Sequence, residues 1–579
     1  MLRLLLVMIL CSHYLPAQGL QSIQVIENFD GEVNFENAPW KGNAVIVDAS
    51  SEIKAKDLAF FDNDTSFVKF ELGKKGKSEL ELSELMVEKP SILSFRYRTE
   101  IASKAGQTFK LIIDGVVKVN LEGVDTGWRI ERIRLGSGVH TLVFQGENAR
   151  GVYVVGGYNA VYIDDLHIFP DIVSSIAIRP RGVQNTHVGA AGGEKLRFQG
   201  LTLLPDGSVK NDAGAFTYTA SGGAIDANGV WTPDKPGTFT ITAALGGLAV
   251  TNDKVTAHPA DFLDHPYTYP GTGKTYQGYT GGEHSQNAQP MPVRETLTIT
   301  NPPRALFEAD GFFLIEGIVQ NPKGKNYARI LVHKVFESGR NAQKLETWYF
   351  VQNNFSRRIW LPFGTGEYRI EVIEFDSVTL TSPPKGEGAL RGGSYSREPL
   401  VFTVYNTREE RELVDGDGRW IYPSFNTESD DYRVSNLLND ITFGIGNDAD
   451  KVRAIHDYMV STLVYDTQSF SNASRSRKMN AVSVIENATG VCDGYSFLSA
   501  ALLRNAGIPC KIVANRSIVH SWNNVYIDDK WKFYDATWDD PVPDQGPGIV
   551  HHTYYLLDDL RGGDNRHRGA GTALIGDAQ

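Results

Sequence analysis

Apolar and polar residues alternate with a period of two along much of residues 22 to 408, which predicts β-strands. The alternation is clearest at 91–98 (SILSFRYR), 109–115 (FKLIIDG) and 140–144 (HTLVF). It returns after turn-like segments, for example at 236–243 (PGTFTITA) and 400–405 (LVFTVY). This part of the chain is therefore expected to be all-β.

The pattern changes after about residue 410, where apolar residues recur at helical spacing. One predicted helical face carries Val452, Ile455, Met459 and Leu463, and Asn447, Asp448 and Asp450 supply the cap. Further helices are expected over 481–486 and from Cys492 to just before Gly507, and strands over 510–514, 521–527 and 531–535. Helices followed by antiparallel strands predict an α+β domain that folds as an independent unit.

Length and composition predict a multidomain protein: three all-β sandwich domains followed by the α+β domain. A chain of 579 residues corresponds to roughly four domains. The predicted boundaries are 22–170, 171–257, 258–408, in which the residues up to about 295 form a linker, and 411–579. With 41% hydrophobic and 22% charged residues, the composition is that of ordinary globular protein.

The first residues have the pattern of a signal peptide, predicted over 1–19. Arg3 supplies the basic start, residues 4–10 the short apolar segment, and residues 17–19 small residues at the cleavage spacing. No later apolar run is long enough for a membrane helix. We expect an exported protein that is not inserted in a membrane. The net charge of −12, without a basic stripe, argues against nucleic acid or an anionic membrane surface as a partner.

Three residues after position 490 carry candidate chemistry: Cys492, His520 and Asp535. A thiol, an imidazole and a carboxylate in this order are the parts of a nucleophilic Cys-His-Asp site. Cys492 opens a predicted helix, where the helix dipole favours the thiolate, so we expect it to ionise easily. If Asp528 and Asp529 form a two-residue hairpin turn, His520 lies opposite residue 537, and Asp535 points to the same face as His520.

Cys510 is the other cysteine that remains once the signal segment is removed, and a Cys492–Cys510 bridge is the alternative to a nucleophilic thiol. The predicted helix separates the two positions by about 20 Å along its axis, whereas a bridge needs Cα atoms within about 7 Å. We therefore expect Cys510 to be a free, buried thiol.

The sequences around these residues resemble the transglutaminase-like (papain-like cysteine) superfamily. The motifs are 490–495 (GVCDGY), 520–523 (HSWN) and 531–538 (WKFYDATW), with upstream similarity at 451–458 (KVRAIHDY) and 464–466 (VYD). The resemblance implies that Cys492 is the nucleophile, His520 the general base and acid, and Asp535 the residue that orients His520. It also makes Tyr465 a candidate for the oxyanion hole beside the Cys492 N–H, although Tyr465 can equally be a packed aromatic residue.

The β-region has looser resemblances. Residues 22–170 resemble jelly-roll modules of extracellular bacterial proteins, many of which bind carbohydrate. Trp40, Trp128 and Tyr158 can be sugar-stacking platforms there, or core and rim residues of a sandwich. Residues 171–257 resemble bacterial immunoglobulin-like domains, which usually act as spacers or adhesive units.

His551, His552 and His567 raise the question of a metal. No cysteine or carboxylate stands near them at zinc-ligand spacing, and neighbouring residues of a strand face opposite ways. We predict no catalytic metal and no cofactor.

Two hypotheses remain open. The first is a secreted thiol enzyme that attacks the amide carbonyl of a protein or peptide and forms an acyl-enzyme, which either water (a peptidase or amidase) or a lysine amine (a crosslinking transglutaminase) resolves. The second is a non-catalytic extracellular binding or adhesion protein whose last domain is a recognition module.

Overall fold

The structure is a computed structural model that describes most of the chain. The described residues are 24–27, 40–42, 45–48, 66–72, 75–100, 106–122, 125–150, 160–188, 194–210, 215–259, 266–283, 288–320, 327–335, 346–374, 399–408, 418–468, 480–515, 519–540, 550–558 and 572–574. The predicted signal peptide, Tyr158 and His567 lie outside these residues, as do the side chains of Trp40 and Trp128. The sugar-stacking hypothesis therefore stays a prediction.

The first sandwich consists of two antiparallel sheets. Its strands are β1 (Gln24–Glu27), β2 (Trp40–Gly42), β3 (Val45–Asp48), β4 (Ser66–Glu71), β5 (Gly76–Val87), β6 (Ser91–Glu100), β7 (Gln107–Ile113), β8 (Val116–Glu122), β9 (Asp125–Leu135), β10 (Gly138–Asn148) and β11 (Ala160–Pro170). One sheet has the order β3-β4-β11-β6-β9, with β1 also on β11, and the other the order β2-β5-β10-β7-β8. The predicted alternation is visible in β7, which buries every second residue, including Phe109, Leu111 and Ile113.

The second unit is also all-β. Its strands are β12 (Ser175–Arg179), β13 (Gln184–His187), β14 (Leu196–Arg197), β15 (Gln199–Leu203), β16 (Thr217–Ala220), β17 (Ala224–Ile225), β18 (Val230–Thr232), β19 (Gly237–Leu245) and β20 (Leu248–His258). The larger sheet has the order β13-β20-β19-β16, and smaller sheets pair β14-β18-β17 and β12-β15. Trp231 is fully buried at the centre of the core, and its Nε1–H donates to the Gly222 carbonyl at 2.8 Å.

The third sandwich follows. Its strands are β21 (Tyr267–Tyr269), β22 (Lys274–Tyr276), β23 (Gly278–Gly281), β24 (Leu297–Asn301), β25 (Leu306–Asp310), β26 (Phe312–Val319), β27 (Tyr327–Lys334), β28 (Glu346–Gln352), β29 (Asn354–Trp360), β30 (Gly366–Glu374) and β31 (Leu400–Asn406). The sheets have the orders β23-β25-β31-β30-β27-β28 and β24-β26-β29. The segment predicted as a linker up to about residue 295 is in part ordered, because it contains the hairpin β21–β22 and strand β23.

The C-terminal part is α+β, as predicted. After a 3₁₀ turn (Gly418–Trp420) come α1 (Tyr432–Ile441), α2 (Asp448–Thr462), β32 (Val464–Tyr465), α3 (Ala481–Asn487), β33 (Thr489–Gly490), α4 (Cys492–Asn505), β34 (Cys510–Asn515), β35 (His520–Ile527), β36 (Lys530–Tyr534), α5 (Ala536–Asp539) and β37 (Thr572–Leu574). The antiparallel sheet has the order β36-β35-β34-β37. The fold class predicted from the sequence is thus confirmed: three β-sandwiches precede an α+β domain.

Local sequence explains where the main helices begin and end. Asn447 caps α2 by accepting the Asp450 N–H, and Val452, Ile455 and Met459 lie buried on the predicted face. Helix α4 stops before Gly507, whose φ of +85° is the left-handed conformation that glycine adopts at a helix end. Helix α1 was not predicted. Among the described residues, no helix combines the length and apolar character needed to cross a membrane.

The α+β domain packs against the domains that precede it. An aromatic cluster joins it to the third sandwich; we call it the aromatic junction, and it consists of Tyr269, Tyr276, Phe312, Trp360 and Tyr422. The Trp360 and Tyr422 rings stack with centroids 5.3 Å apart, and the Tyr269 hydroxyl donates to the Ile421 carbonyl at 2.8 Å. Helix α1 contacts the second unit, where the Arg181 N–H donates to Asp440 Oδ1 at 2.9 Å.

Candidate active site

Cys492 is the first residue of α4, which is buried along nearly its whole length. The short parallel pair β32–β33 places Tyr465 opposite Gly490, two residues before Cys492. Only 8% of Cys492 is exposed to solvent. The predicted nucleophile therefore lies at the start of a helix, as expected, but deeper in the protein than the sequence indicated.

His520 and Asp535 are brought together by the hairpin β35–β36. Asp528 and Asp529 form the predicted two-residue turn, both with positive φ, and Ile527 pairs with Lys530. Strand β36 ends at Tyr534, so β36 has no residue that pairs with His520. Asp535, the next residue, is the N-cap of α5. Its Oδ2 lies 2.6 Å from His520 Nε2, and both side chains are almost completely buried.

The sulfur of Cys492 lies against Ser521, the residue that follows His520. The Ser521 hydroxyl and backbone N–H both lie beside the sulfur, and both lower the pKa of the thiol. Burial and the negative charge of Asp493 act in the opposite direction and prevail, so the pKa of the Cys492 thiol is raised to about 11. The expectation that Cys492 ionises easily is therefore wrong for the protein without substrate, because burial outweighs the position at the helix start.

Asp493 also lies in the candidate site. It is part of the 490–495 motif, but the sequence does not indicate what its carboxyl group contacts. It accepts a hydrogen bond from the Ser521 hydroxyl at 2.7 Å, so Ser521 connects the carboxylate with the sulfur. Desolvation raises the pKa of Asp493, while the hydrogen bond from Ser521 and the charge of His520 lower it in part. A carboxyl group next to the thiol is thus built into the site.

The hydroxyl of Tyr465 accepts a hydrogen bond from the backbone N–H of Cys492. Burial, followed by the charges of Cys492 and Asp493, raises the pKa of Tyr465, which keeps the phenol protonated. Tyr465 is therefore next to the predicted oxyanion donor, and its ring also packs against Tyr495. Its role in an oxyanion hole stays a prediction.

Trp538 contacts the imidazole and was not singled out from the sequence. Its ring stacks on His520 with centroids 4.8 Å apart and an interplanar angle of 22°. Trp522 stacks on His520 at 5.9 Å. The signal was available, since both tryptophans stand in the quoted motifs, but only the fold shows that they meet at His520.

Cys510 has the role predicted for it. Cys492 and Cys510 are both free thiols, and Cys510 is fully buried at the start of β34. The Asn523 side-chain amide donates to its sulfur at 3.4 Å. The alternative of a bridge between the two cysteines is not realised.

His552 lies beside His456 and Asp457 of helix α2, a neighbourhood that the spacing along the chain did not indicate. The predicted triad contains none of these residues.

Comparisons with known proteins find similarity within the C-terminal domain. Residues 435–536 match the profile of the Transglutaminase-like superfamily. Kyphoscoliosis peptidase of Mus musculus is 25% identical over 134 residues, which are 21% of this chain and 19% of that protein. The chain thus matches about a fifth of the length of this relative.

Solved structures with similarity to the chain include "a Putative Cysteine Protease from Cytophaga hutchinsonii", 16% identical, covering 51% of this chain and 80% of that chain with a TM-score of 0.19. Another is the K1 cleaved adhesin domain of Lys-gingipain from Porphyromonas gingivalis W83, 15% identical, covering 26% of this chain and 99% of that chain with a TM-score of 0.18.

Proposed function

We propose that the transglutaminase-like domain of this chain is a thiol enzyme that attacks amide carbonyls of proteins or peptides through Cys492, His520 and Asp535. One observation carries the proposal: Asp535 holds His520 by a 2.6 Å hydrogen bond, and the residue after His520 contacts the Cys492 sulfur. A thiol, an imidazole and an orienting carboxylate are the parts of a nucleophilic triad.

The roles follow from which nitrogen faces the carboxylate. Asp535 faces Nε2 of His520, so Nδ1 is the nitrogen that takes the proton from the thiol. The sulfur then attacks the carbonyl carbon, and the electron pair of the C=O bond moves to oxygen. His520 returns the proton to the amide nitrogen as the C–N bond breaks, which leaves a thioester on Cys492 and a free amine.

The raised pKa of Cys492 favours a neutral thiol in the resting enzyme. In such a site proton transfer to His520 accompanies the attack, so a preformed thiolate–imidazolium pair is not needed.

The Cys492 N–H and the Tyr465 hydroxyl together form the proposed oxyanion hole. In the protein without substrate, the hydroxyl oxygen accepts from this N–H. When the tetrahedral intermediate forms, its oxygen replaces the Tyr465 hydroxyl as the acceptor of this N–H, and the Tyr465 hydroxyl donates its own proton to that oxygen. Two donors then share the negative charge.

The fate of the thioester decides between a hydrolase and a crosslinking enzyme, and both stay open. The test is incubation of the protein with a peptide library, with and without an added primary amine, followed by mass spectrometry. Peptide cleavage or amine incorporation that requires Cys492 supports the proposal and tells the two reactions apart. If neither product nor a Cys492-linked acyl adduct forms with any peptide, the non-catalytic binding hypothesis is favoured instead.

The exported location and a carbohydrate partner of the first sandwich stay predictions of the sequence. Both have direct tests, namely N-terminal sequencing of the mature protein and glycan-array binding by the full chain.

A further inference from the structure

A group of histidine and carboxylate side chains lies outside the proposed triad, between helix α2 and residues 550–558. The group consists of His456, Asp457 and His552, and one ligand atom from each lies within 4.8 Å of the others. His456 is fully buried, whereas Asp457 and His552 are partly exposed. Asp457 and His552 are 95 residues apart along the chain, which is why spacing alone did not predict a site here.

Two ring nitrogens face a single oxygen of Asp457. His552 Nε2 lies 2.6 Å from Oδ1 and His456 Nδ1 lies 3.4 Å from the same atom. The other nitrogen of His456, Nε2, lies 3.1 Å from Oδ2 of the fully buried Asp539. His456 therefore has a carboxylate at each ring nitrogen, and it can donate to both only as a buried imidazolium.

A bound divalent cation would also explain why these side chains lie together, without a charged His456. With a metal ion at Asp457, His456 Nδ1 and His552 Nε2, His456 stays neutral and its Nε2–H donates to Asp539. A ligating histidine whose second nitrogen donates to a carboxylate is the usual outer arrangement of protein metal sites. Asp539 is itself held, since its two oxygens accept the Tyr554 N–H at 3.0 and 3.1 Å.

The donor set distinguishes between metals. Two imidazole nitrogens and one carboxylate oxygen suit zinc or a similar transition metal, whereas calcium and magnesium prefer oxygen ligands alone. Zinc ligands at about 2.1 Å from the ion lie roughly 3.4 Å from one another. The widest separation, up to 4.8 Å, therefore has to close by as much as about 1.4 Å, and the 2.6 Å separation of His552 and Asp457 has to open by about 0.8 Å. Rotation of these two partly exposed side chains can provide both changes.

We propose that His456, Asp457 and His552 bind a zinc ion that stabilises the fold and has water as its fourth ligand, with Asp539 orienting His456 from outside. Asp539 ends helix α5, and Asp535 caps its start. The ion thus ties α2 to the helix that carries the proposed triad carboxylate. It takes no part in the thiol chemistry, so this proposal does not depend on the proposed function.

The test uses the full chain carrying Cys492→Ala, because a catalytic thiol beside a histidine can itself bind zinc. The protein is treated with EDTA, and zinc is then titrated by calorimetry while the melting temperature is followed. We expect about one equivalent to bind, with a rise in melting temperature. His552→Gln and Asp457→Asn are expected to weaken binding about a hundredfold, Asp539→Asn about tenfold, and the neighbouring control His551→Gln not at all.

Cobalt substitution provides a second readout. A tetrahedral nitrogen and oxygen site gives visible cobalt bands without the near-ultraviolet thiolate transition of a cysteine site. The proposal is overturned if the Cys492→Ala protein binds no zinc, if His552→Gln and Asp457→Asn bind it as tightly as the parent, or if His551→Gln removes the binding as well. The last result would place the ion elsewhere on residues 550–558.

Discussion

The carboxylate of Asp535 divides its two oxygens between His520 and a helix. Oδ2 lies 2.6 Å from His520 Nε2, whereas Oδ1 accepts the backbone N–H groups of Thr537 and Trp538 at 3.0 and 3.1 Å. Because the N-cap contacts fix Oδ1, the direction in which Oδ2 points is set by the start of α5. The proposed orienting residue is thus held by the backbone and does not depend on the imidazole for its position.

Asp535→Asn is expected to be less damaging than His520→Ala. Asparagine can keep the cap through Oδ1, but its amide donates to Nε2 and leaves the proton on Nδ1, where it blocks transfer from the thiol. We expect kcat to fall by about 10⁴ for Asp535→Asn and by roughly 10⁶ for His520→Ala. Steady-state kinetics on a substrate found by the peptide screen is the measurement, with the exposed turn variant Asp529→Asn as the control. Equal losses in both variants would contradict the orienting role.

Cys492→Ala is expected to abolish amide-directed activity and to leave the fold intact. The sulfur is the only heavy atom removed, and the residue is the first of a helix whose remaining buried residues keep their packing. Activity should fall by about 10⁴ or more, and circular dichroism should not change. Cys510→Ala is the matched control, since it removes a thiol that is fully buried at the start of β34. Activity that survives Cys492→Ala but not Cys510→Ala would reverse the assignment.

Much of this site was predictable from local sequence. The sequence predicts that His520 and Asp535 share a face if Asp528 and Asp529 form a two-residue turn. That turn forms, but Asp535 reaches His520 from the N-cap of α5 and not across a continued ladder. The pKa of Cys492 was not predictable, because its burial and the contact of Ser521 with both the sulfur and Asp493 arise from packing between elements far apart in the chain.

The sequence does not predict helix α1, because contacts with another domain bury its polar residues. Its buried residues include Ser435 and Asn436 beside Val434 and Leu438, so the apolar period is interrupted. Asn436 is buried because its side-chain amide donates to the Asn185 carbonyl of the second unit at 2.8 Å. A polar residue that is satisfied by another domain gives no hydrophobic signal in the sequence.

Asp493→Asn is expected to make Cys492 more reactive towards iodoacetamide at neutral pH. The charge of Asp493 raises the pKa of the thiol, so its removal lowers that pKa and increases the thiolate fraction. In the unmodified protein, with a thiol pKa of about 11, alkylation should be slow at pH 6 to 8 and rise about tenfold per pH unit above that range.

The measurement is the alkylation rate at Cys492 by peptide mass spectrometry from pH 6 to 10, with Glu486→Gln on the exposed side of α3 as the charge-removal control. A rate in the unmodified protein that is high and constant down to pH 6 would show that the thiol ionises readily after all. An identical pH profile in Asp493→Asn would show that Asp493 does not influence the thiol.

Tyr465→Phe is expected to lower kcat with little change in KM. The hydroxyl is proposed to donate to the developing oxyanion, and the loss of one such donor costs about a hundredfold in rate. A role in packing alone would leave kcat nearly unchanged, because phenylalanine retains the ring. The measurement is the separate determination of kcat and KM, with Tyr458→Phe on α2 as the control. A fall in kcat of equal size in both variants would argue against a specific role of the Tyr465 hydroxyl.

The last prediction concerns the expectation that residues 411–579 fold independently. The domain has a core of its own, made mostly of residues from α1 to β36, but Ala160 and Tyr162 of the first sandwich also belong to it. At the aromatic junction, Trp360 stacks on Tyr422, and its Nε1–H donates to Asp430 Oδ2 at 2.9 Å. Separation of the domain would expose Tyr422 to water and remove the partner of Asp430.

The end of helix α4 depends on the same contacts. The fully buried Arg504 donates to the Cys510 carbonyl at 2.7 Å and to the Tyr422 carbonyl at 3.1 Å. Tyr422 also packs against aromatic residues of the third sandwich. The third sandwich therefore supports Tyr422, which in turn contacts Arg504 near the C-terminal end of helix α4. We therefore expect a segment of residues 411–579 to show helical circular dichroism but to melt at a lower temperature than a segment of residues 258–579. Equal melting temperatures for the two segments would support the prediction from the sequence that residues 411–579 fold independently.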